Sequence, residues 1–310
     1  MSASRGRVLL TGADGFVGVH LVPALRAAGW AVRAASRREP GRLPGGVEHA
    51  GIGDLARPQD WTPLLSGVDA VVHGAAIAHT TGIDEERYAA VNTRATLDLA
   101  AAAERNGVRR FVFLSSVRAQ CGPTSPGLLT ESDPPRPTDA YGRSKLAAER
   151  GLADTGLDWT ALRPVVVYGP GVRGNLGSLV RLARLPVPLP FGGLTAPRSF
   201  CAVWNLAAAV LLALEARVSG PVLVAAPAPS SLAELLGAMR SADGRSPALV
   251  TVPAGLMGGL ARLAGQGGAW ERLAGPMAVS TAKLSGAGWQ PPSASTPEGV
   301  RRWIAPPAPG

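Results

Sequence analysis

Arg7-Val8-Leu9-Leu10-Thr11-Gly12-Ala13-Asp14-Gly15-Phe16-Val17-Gly18 is the stretch that decides the fold of this chain. Residues 7–11 read as a short buried parallel strand. The strand runs into three glycines, Gly12, Gly15 and Gly18, spaced three apart. A helical pattern follows and stops at Gly29. Strand, glycine turn and helix together form a phosphate cradle, because backbone N–H groups and the helix dipole face a pyrophosphate. In a chain with 39 glycines the spacing alone carries little. Its place directly behind the first strand is what makes it specific.

Outward from this turn, apolar runs alternate with helical patterns. Strands are predicted at 7–11, 31–36, 47–50, 69–74, 110–115 and 159–167, and helices at 15–28, 84–106 and 140–155. The alternation predicts an α/β fold with a doubly wound parallel sheet of Rossmann type, its ligand lying at the carboxyl ends of the strands. A Pro/Thr/Ser/Asp-rich loop at 122–139 precedes the third helix, and a long loop over a site is more often functional than idle. After 172 the alternation becomes irregular, with Gly and Pro clusters at 186–198 and 221–229. The expected division is residues 1–171 as the dinucleotide-binding domain and 172–310 as a smaller substrate lobe.

Tyr141-Gly142-Arg143-Ser144-Lys145 holds one of three tyrosines and one of only two lysines. Residues four apart share a helix face. An ammonium beside a phenol favours the phenolate, so this pair can move a proton, as carbonyl reduction or alcohol oxidation requires.

With these residues on the page, the chain resembles the extended short-chain dehydrogenase/reductases, in the NAD(P)-dependent epimerase/dehydratase group that includes UDP-glucose 4-epimerase. The resemblance rests on Thr11 to Gly18, His73-Gly74-Ala75-Ala76, Val91-Asn92, Leu114-Ser115-Ser116, Tyr141 to Lys145 and Arg163 to Gly171. It implies that Tyr141 is the catalytic acid/base and that Lys145 holds the nicotinamide ribose while lowering the Tyr141 pKa. Bringing a phenol from about 10 to near 7 takes about 4 kcal/mol. It also implies that a strand-end hydroxyl bonds the reacting oxygen; Ser115 and Ser116 both fit, and Ser116 is preferred. Gly12, Gly15, Phe16, Val17 and Gly18 are implied around the dinucleotide phosphates, with Ala75 and Ala76 letting the cofactor backbone pass. Asp54 and Leu55 resemble the adenine-contact pair, a turn Asp being the plainer reading. Asn92 resembles the residue that organises the active-site helix. His73 is expected to be packed in the core, and His79 is a weaker substrate contact.

Cofactor choice rests on the end of the second strand. Ala34-Ala35-Ser36-Arg37-Arg38 has no acid where an NAD site places one, so NADP is favoured over NAD, with Arg37 as the phosphate partner. Asn175 and Arg198 resemble the substrate-binding segments, Arg198 supplying a bidentate contact to a nucleotide diphosphate. Asn205 stands where the family usually has Asp.

Composition narrows the partners. The net charge of +9 comes from arginines scattered singly, not clustered with aromatics, so no nucleic-acid partner is expected. No apolar run reaches a membrane span, and residues 1–6 leave no room for a signal peptide, so a cytoplasmic enzyme is expected. Cys121 and Cys201 have no metal spacing. The reading is a nucleotide-sugar 4-epimerase or 4-ketoreductase, by resemblance a homodimer. The alternatives are an NADPH-dependent reductase of a non-sugar ketone and a non-catalytic dinucleotide-binding relative. Val117-Arg118-Ala119 after Ser116 carries no carboxylate, which speaks against a dehydratase.

Overall fold

Val8, Leu9 and Leu10 are fully buried, as a strand covered on both faces demands. They belong to β1 (Arg7–Thr11), at the centre of a computed structural model that describes residues 5–37, 46–78, 82–215 and 217–305. The other first-half strands are β2 (Ala31–Ser36), β3 (Glu48–Gly51), β4 (Ala70–His73) and β5 (Arg110–Leu114). Then come β6 (Leu128–Leu129), β7 (Asp158–Pro164), β8 (Val166–Tyr168), β9 (Phe200–Ala202), β10 (Gly220–Val224) and β11 (Ala278–Val279). Seven of them form one parallel sheet in the order β3-β2-β1-β4-β5-β7-β10. The order reverses between β1 and β4, where Thr11 pairs with Ala35 on one side and His73 on the other. That is where an open α/β sheet leaves its ligand crevice.

The helices needed here are α1 (Gly18–Ala27), α2 (Thr62–Leu65), α3 (Glu85–Tyr88), α4 (Ala95–Arg105), α5 (Ala140–Ala153), α6 (Gly174–Ala183), α7 (Val203–Leu214) and α8 (Leu232–Ala242). Side chains alternate along each strand, so Val8, Leu10 and Val72 join Leu21 and Leu25 of α1 and Leu206 and Val210 of α7. Leu9, Val71, Phe111 and Phe113 join Leu99 of α4 and Ala148 and Leu152 of α5 on the other face. Burying each such Leu, Val or Phe contributes about 1.5–3 kcal/mol. A third cluster, separate from these two, is built on Tyr168, Leu176, Leu179, Leu235, Leu236 and Val300.

Several sequence expectations are corrected. Residues 159–167 are two strands: β7 stays in the main sheet, while β8 pairs with β9 in a separate one. The helix expected at 15–28 begins at Gly18, the turn taking the three residues before it. The helix expected at 84–106 is α3, then a π-helical turn at Ala89–Arg94, then α4. Part of the irregular 221–229 stretch is β10, the seventh strand. Its Pro221 is tolerated because β10 lies at the sheet edge. The chain past 171 therefore returns to the main sheet through α7 and β10, so the two regions interleave along the sequence.

Candidate active site

Gly12 takes φ of +72°, and a Cβ there would lie 2.7 Å from Ala75 N. The turn after β1 can approach the end of β4 so closely only without a side chain. At Gly18 a Cβ would meet the Gly12 carbonyl at 2.2 Å, so the same economy sets α1 against the turn. Between these elements lies a cleft of about 250 Å³. Gly12, Gly15, Arg37, Asp54, Leu55, Ala75 and Ala76 all line it. Phe16, Val17, Gly18, Tyr141 and Lys145 do not. Phe16 stacks edge-on against His20, whose Nε2 lies 2.8 Å from the Pro170 carbonyl oxygen and so ties the turn to the segment after β8. A cleft of about 310 Å³ between residues 58–62 and α4 holds none of the predicted residues.

The cleft adds groups that sequence reasoning missed, Ile52, Ile77 and Arg87, and it also takes in Ser36 and Val91 from the quoted motifs. Arg87 gives 2.7 Å to Asp54 Oδ2, and Asp54 Oδ1 accepts from Ala56 N at 3.1 Å. These bonds, the Ala56 one first, hold the Asp54 carboxyl below its ordinary range. Asp54 is thus both a turn residue and a cleft wall. Arg87 could not be found from the sequence, since only the fold brings α3 to this cleft.

Asn92 connects the cleft to the helix of Tyr141. Its Oδ1 accepts from Ile77 N at 2.9 Å, and its Nδ2 gives to Ile77 O at 3.0 Å and Ser144 Oγ at 3.1 Å. Thr93 Oγ1 gives to Ser144 O at 2.8 Å. The π-helical turn, a feature frequent at functional sites, presents both residues to α5.

Helix α5 starts at Asp139, whose Oδ1 accepts from Gly142 N at 2.7 Å. A Cβ at Gly142 would stand 2.2 Å from the Arg118 carbonyl, so glycine lets the first turn of α5 meet the segment after β5. That approach brings together Tyr141 and Ser116, which hydrogen-bond. Ser115 points elsewhere and bonds Glu149. Tyr88 lies over Tyr141, ring centres 6.1 Å apart. Lys145 gives Nζ to Leu114 O at 2.9 Å and lies 4.5 Å over the Phe113 ring.

The electrostatics differ from the expectation that Lys145 lowers the Tyr141 pKa. Burial pushes the Tyr141 phenol up to about 12, against the Ser116 hydrogen bond. Burial pushes the Lys145 ammonium down to about 7, against the Glu149 charge. Both shifts favour the neutral form, because both groups lie out of water. His73 is a core residue as expected: its ring nitrogens lie 2.7 Å from Thr11 Oγ1 and 3.0 Å from Thr96 Oγ1, and burial lowers its pKa to about 3.

Beneath the pair runs a buried network that the sequence reading did not single out. Arg163 Nε gives to Glu149 at 3.0 and 3.1 Å, and its Nη1 gives to Gln120 Oε1 at 2.6 Å. Gln120 Nε2 in turn gives to Thr130 O and Asp133 O, pinning the 122–139 loop. Arg198 is buried, with Nη1 giving 2.5 Å to Gly275 O. Its pKa falls to about 10, by burial first and then by the Arg118 charge. Asn175 is the second residue of α6; its side chain, like Arg38 and His79, lies outside the described residues. Asn205 pairs with the Ser293 backbone at 2.8 and 3.0 Å and has a packing role. Among the described residues, no group of His, Cys, Asp and Glu is placed to hold a metal, and no helix is long and apolar enough to cross a membrane.

Comparison with known proteins places this geometry in context. Residues 8–225 match the model of the NAD dependent epimerase/dehydratase family. The chain is 32% identical over 299 residues to a UDP-glucose 4-epimerase of Vibrio cholerae, covering 92% of this chain and 90% of that one. Among solved structures it is similar to the UDP-glucose 4-epimerase of Thermus thermophilus in complex with NAD (TM-score 0.74, 28% identity, 96% and 97% coverage). It is likewise similar to MoeE5 in complex with UDP-glucose and NAD (TM-score 0.73, 27% identity, 96% and 97% coverage).

Proposed function

The chain belongs to the NAD dependent epimerase/dehydratase family, and from that premise we propose that it is a nucleotide-sugar 4-epimerase or 4-ketoreductase. The observation that carries the reading is the meeting of Ser116 and Tyr141 where β5 ends and α5 begins. In this reading Ser116 bonds the reacting sugar oxygen, and Tyr141 gives a proton to it or takes one from it. Tyr141 is protonated as it stands, the form that donates in the reductive direction.

The cleft residues fit a dinucleotide: a Cβ would fill the cradle at Gly12, and Gly12 and Gly15 line the cleft below α1. Lys145, Ala75 and Ala76 would hold the remainder of the molecule. Bound NAD(P) would supply the acceptor and donor of a hydride at a sugar carbon. Ser36 leaves the end of β2 without an acid, and Arg37 beside it would pair a 2′-phosphate. Arg198 would meet the nucleotide diphosphate. A homodimer through α4 and α5 belongs to the same proposal.

Denaturing the purified protein and identifying any released dinucleotide tests the reading. Retained NAD, with interconversion of UDP-glucose and UDP-galactose, marks the epimerase and refutes the Arg37 assignment. An empty protein that prefers NADPH, with that preference lost in Arg37→Ser, marks the reductase. Failure to bind any dinucleotide would refute both.

A further inference from the structure

Arg118 stands two residues beyond Ser116, and its guanidinium is only partly satisfied. Asp139 Oδ2 accepts from its Nε at 3.2 Å and its Nη2 at 2.5 Å. Its backbone N gives to Ser116 Oγ at 3.2 Å. The remaining nitrogen, Nη1, is buried and has no hydrogen-bond partner among the described residues. A buried cationic N–H without an acceptor is costly, and native structures reserve such groups for a ligand or a special role.

Its position says which part of a ligand would reach it. Asp139 caps α5 and holds Arg118 at once, so the guanidinium is tethered to the first turn of the Tyr141 helix. Its positive charge acts on the Tyr141 phenol and on Arg198. The Arg118 charge disfavours the charged form of buried Arg198, and anionic ligand groups would relieve that repulsion. Arg118 stands with the proton-transfer pair, where the reacting sugar would lie, while Arg198 lies against Gly275.

We propose that Arg118 Nη1 donates to an anionic oxygen on the sugar itself, so that the substrate is a nucleotide-linked sugar carrying a carboxylate, a uronic acid, with Arg198 left for the diphosphate. This rests on the nucleotide-sugar reading above. It assigns Arg118 a specificity role: a neutral hydroxymethyl group would leave the guanidinium without a charged partner.

The test is calorimetric titration of the NAD-loaded protein with UDP, UDP-glucose and UDP-glucuronate. The wild type is expected to bind UDP-glucuronate at least about tenfold more tightly than UDP-glucose, the worth of one hydrogen bond to a charged partner. Arg118→Gln should erase that preference and leave UDP affinity within about twofold. Arg118→Lys, which keeps the charge, should retain part of it. Equal affinity of the wild type for the two sugars would overturn the inference while leaving the nucleotide-sugar reading intact. An equal loss of UDP and UDP-glucuronate affinity in Arg118→Gln would place the guanidinium on the diphosphate and also overturn it. If neither UDP nor either UDP-sugar binds the wild type, both readings fall. The wild-type comparison stands even if a variant does not fold.

Discussion

Ser116 hydrogen-bonds the Tyr141 phenol although it lies 25 positions earlier in the chain, across a proline-rich loop. If this pair handles the proton, Tyr141→Phe should lower kcat by about 10²- to 10⁴-fold with dinucleotide affinity unchanged. Ser116→Ala should cost about ten- to a hundredfold, since it removes a bond to the reacting oxygen and leaves the phenol in place. Steady-state kinetics on a turned-over nucleotide sugar decide this. Near-normal turnover by Tyr141→Phe would exclude the phenol as acid/base.

Lys145 carries a charge only below about pH 7, because burial depresses its pKa to that value. An anionic dinucleotide should therefore bind more weakly as pH rises through 7. We expect a severalfold fall in affinity between pH 6 and 8.5, absent in Lys145→Gln. Parallel pH profiles for the two proteins would show that Lys145 does not titrate there.

His73 keeps a pKa of about 3 in the folded chain, against an ordinary histidine value of 6.5. Between these values the unfolded chain binds more protons, so stability rises with pH from 3 to 6.5 and is lost as pH falls through that window. The loss is on the order of 5 kcal/mol. His73→Gln should flatten the acid limb of urea midpoints, while costing about 1–3 kcal/mol at neutral pH through the two threonine contacts. An unchanged acid limb would assign it to other groups.

Glu149 and Arg163 are each 2% exposed and paired to one another. Glu149→Gln should destabilise the fold by about 3–5 kcal/mol, because it strands a buried guanidinium. Replacing Arg163 with Met in the same chain should restore part of that loss. Denaturant midpoints of the single and double variants measure both. A single variant as stable as wild type would mean that water or Gln120 satisfies Arg163.

Much of the site could be read from local order. Gly12, Gly15, Arg37, Asp54, Leu55, Ala75 and Ala76 follow strand ends, and parallel pairing must gather strand ends at one edge of the sheet. Tyr141 and Lys145 share a helix face by periodicity alone. The seventh strand was hidden because Gly220 and Pro221 resemble a loop signal, and only an edge position tolerates them in a strand. The split at Val165 was hidden because β7 and β8 form one apolar run.

Order along the chain was enough for the doubly wound sheet, the phosphate turn and the Tyr-Lys pair, since each rests on spacing within one or two adjacent elements. It took the folded chain to show that Ser115 turns to Glu149, that Arg87 reaches the cleft, and that the buried Nη1 of Arg118 is left unsatisfied. Folding also set the charge states, raising the Tyr141 pKa and lowering that of Lys145, the first against the sequence expectation. Desolvation depends on everything packed around a group, and no spacing along a chain encodes how much water is excluded.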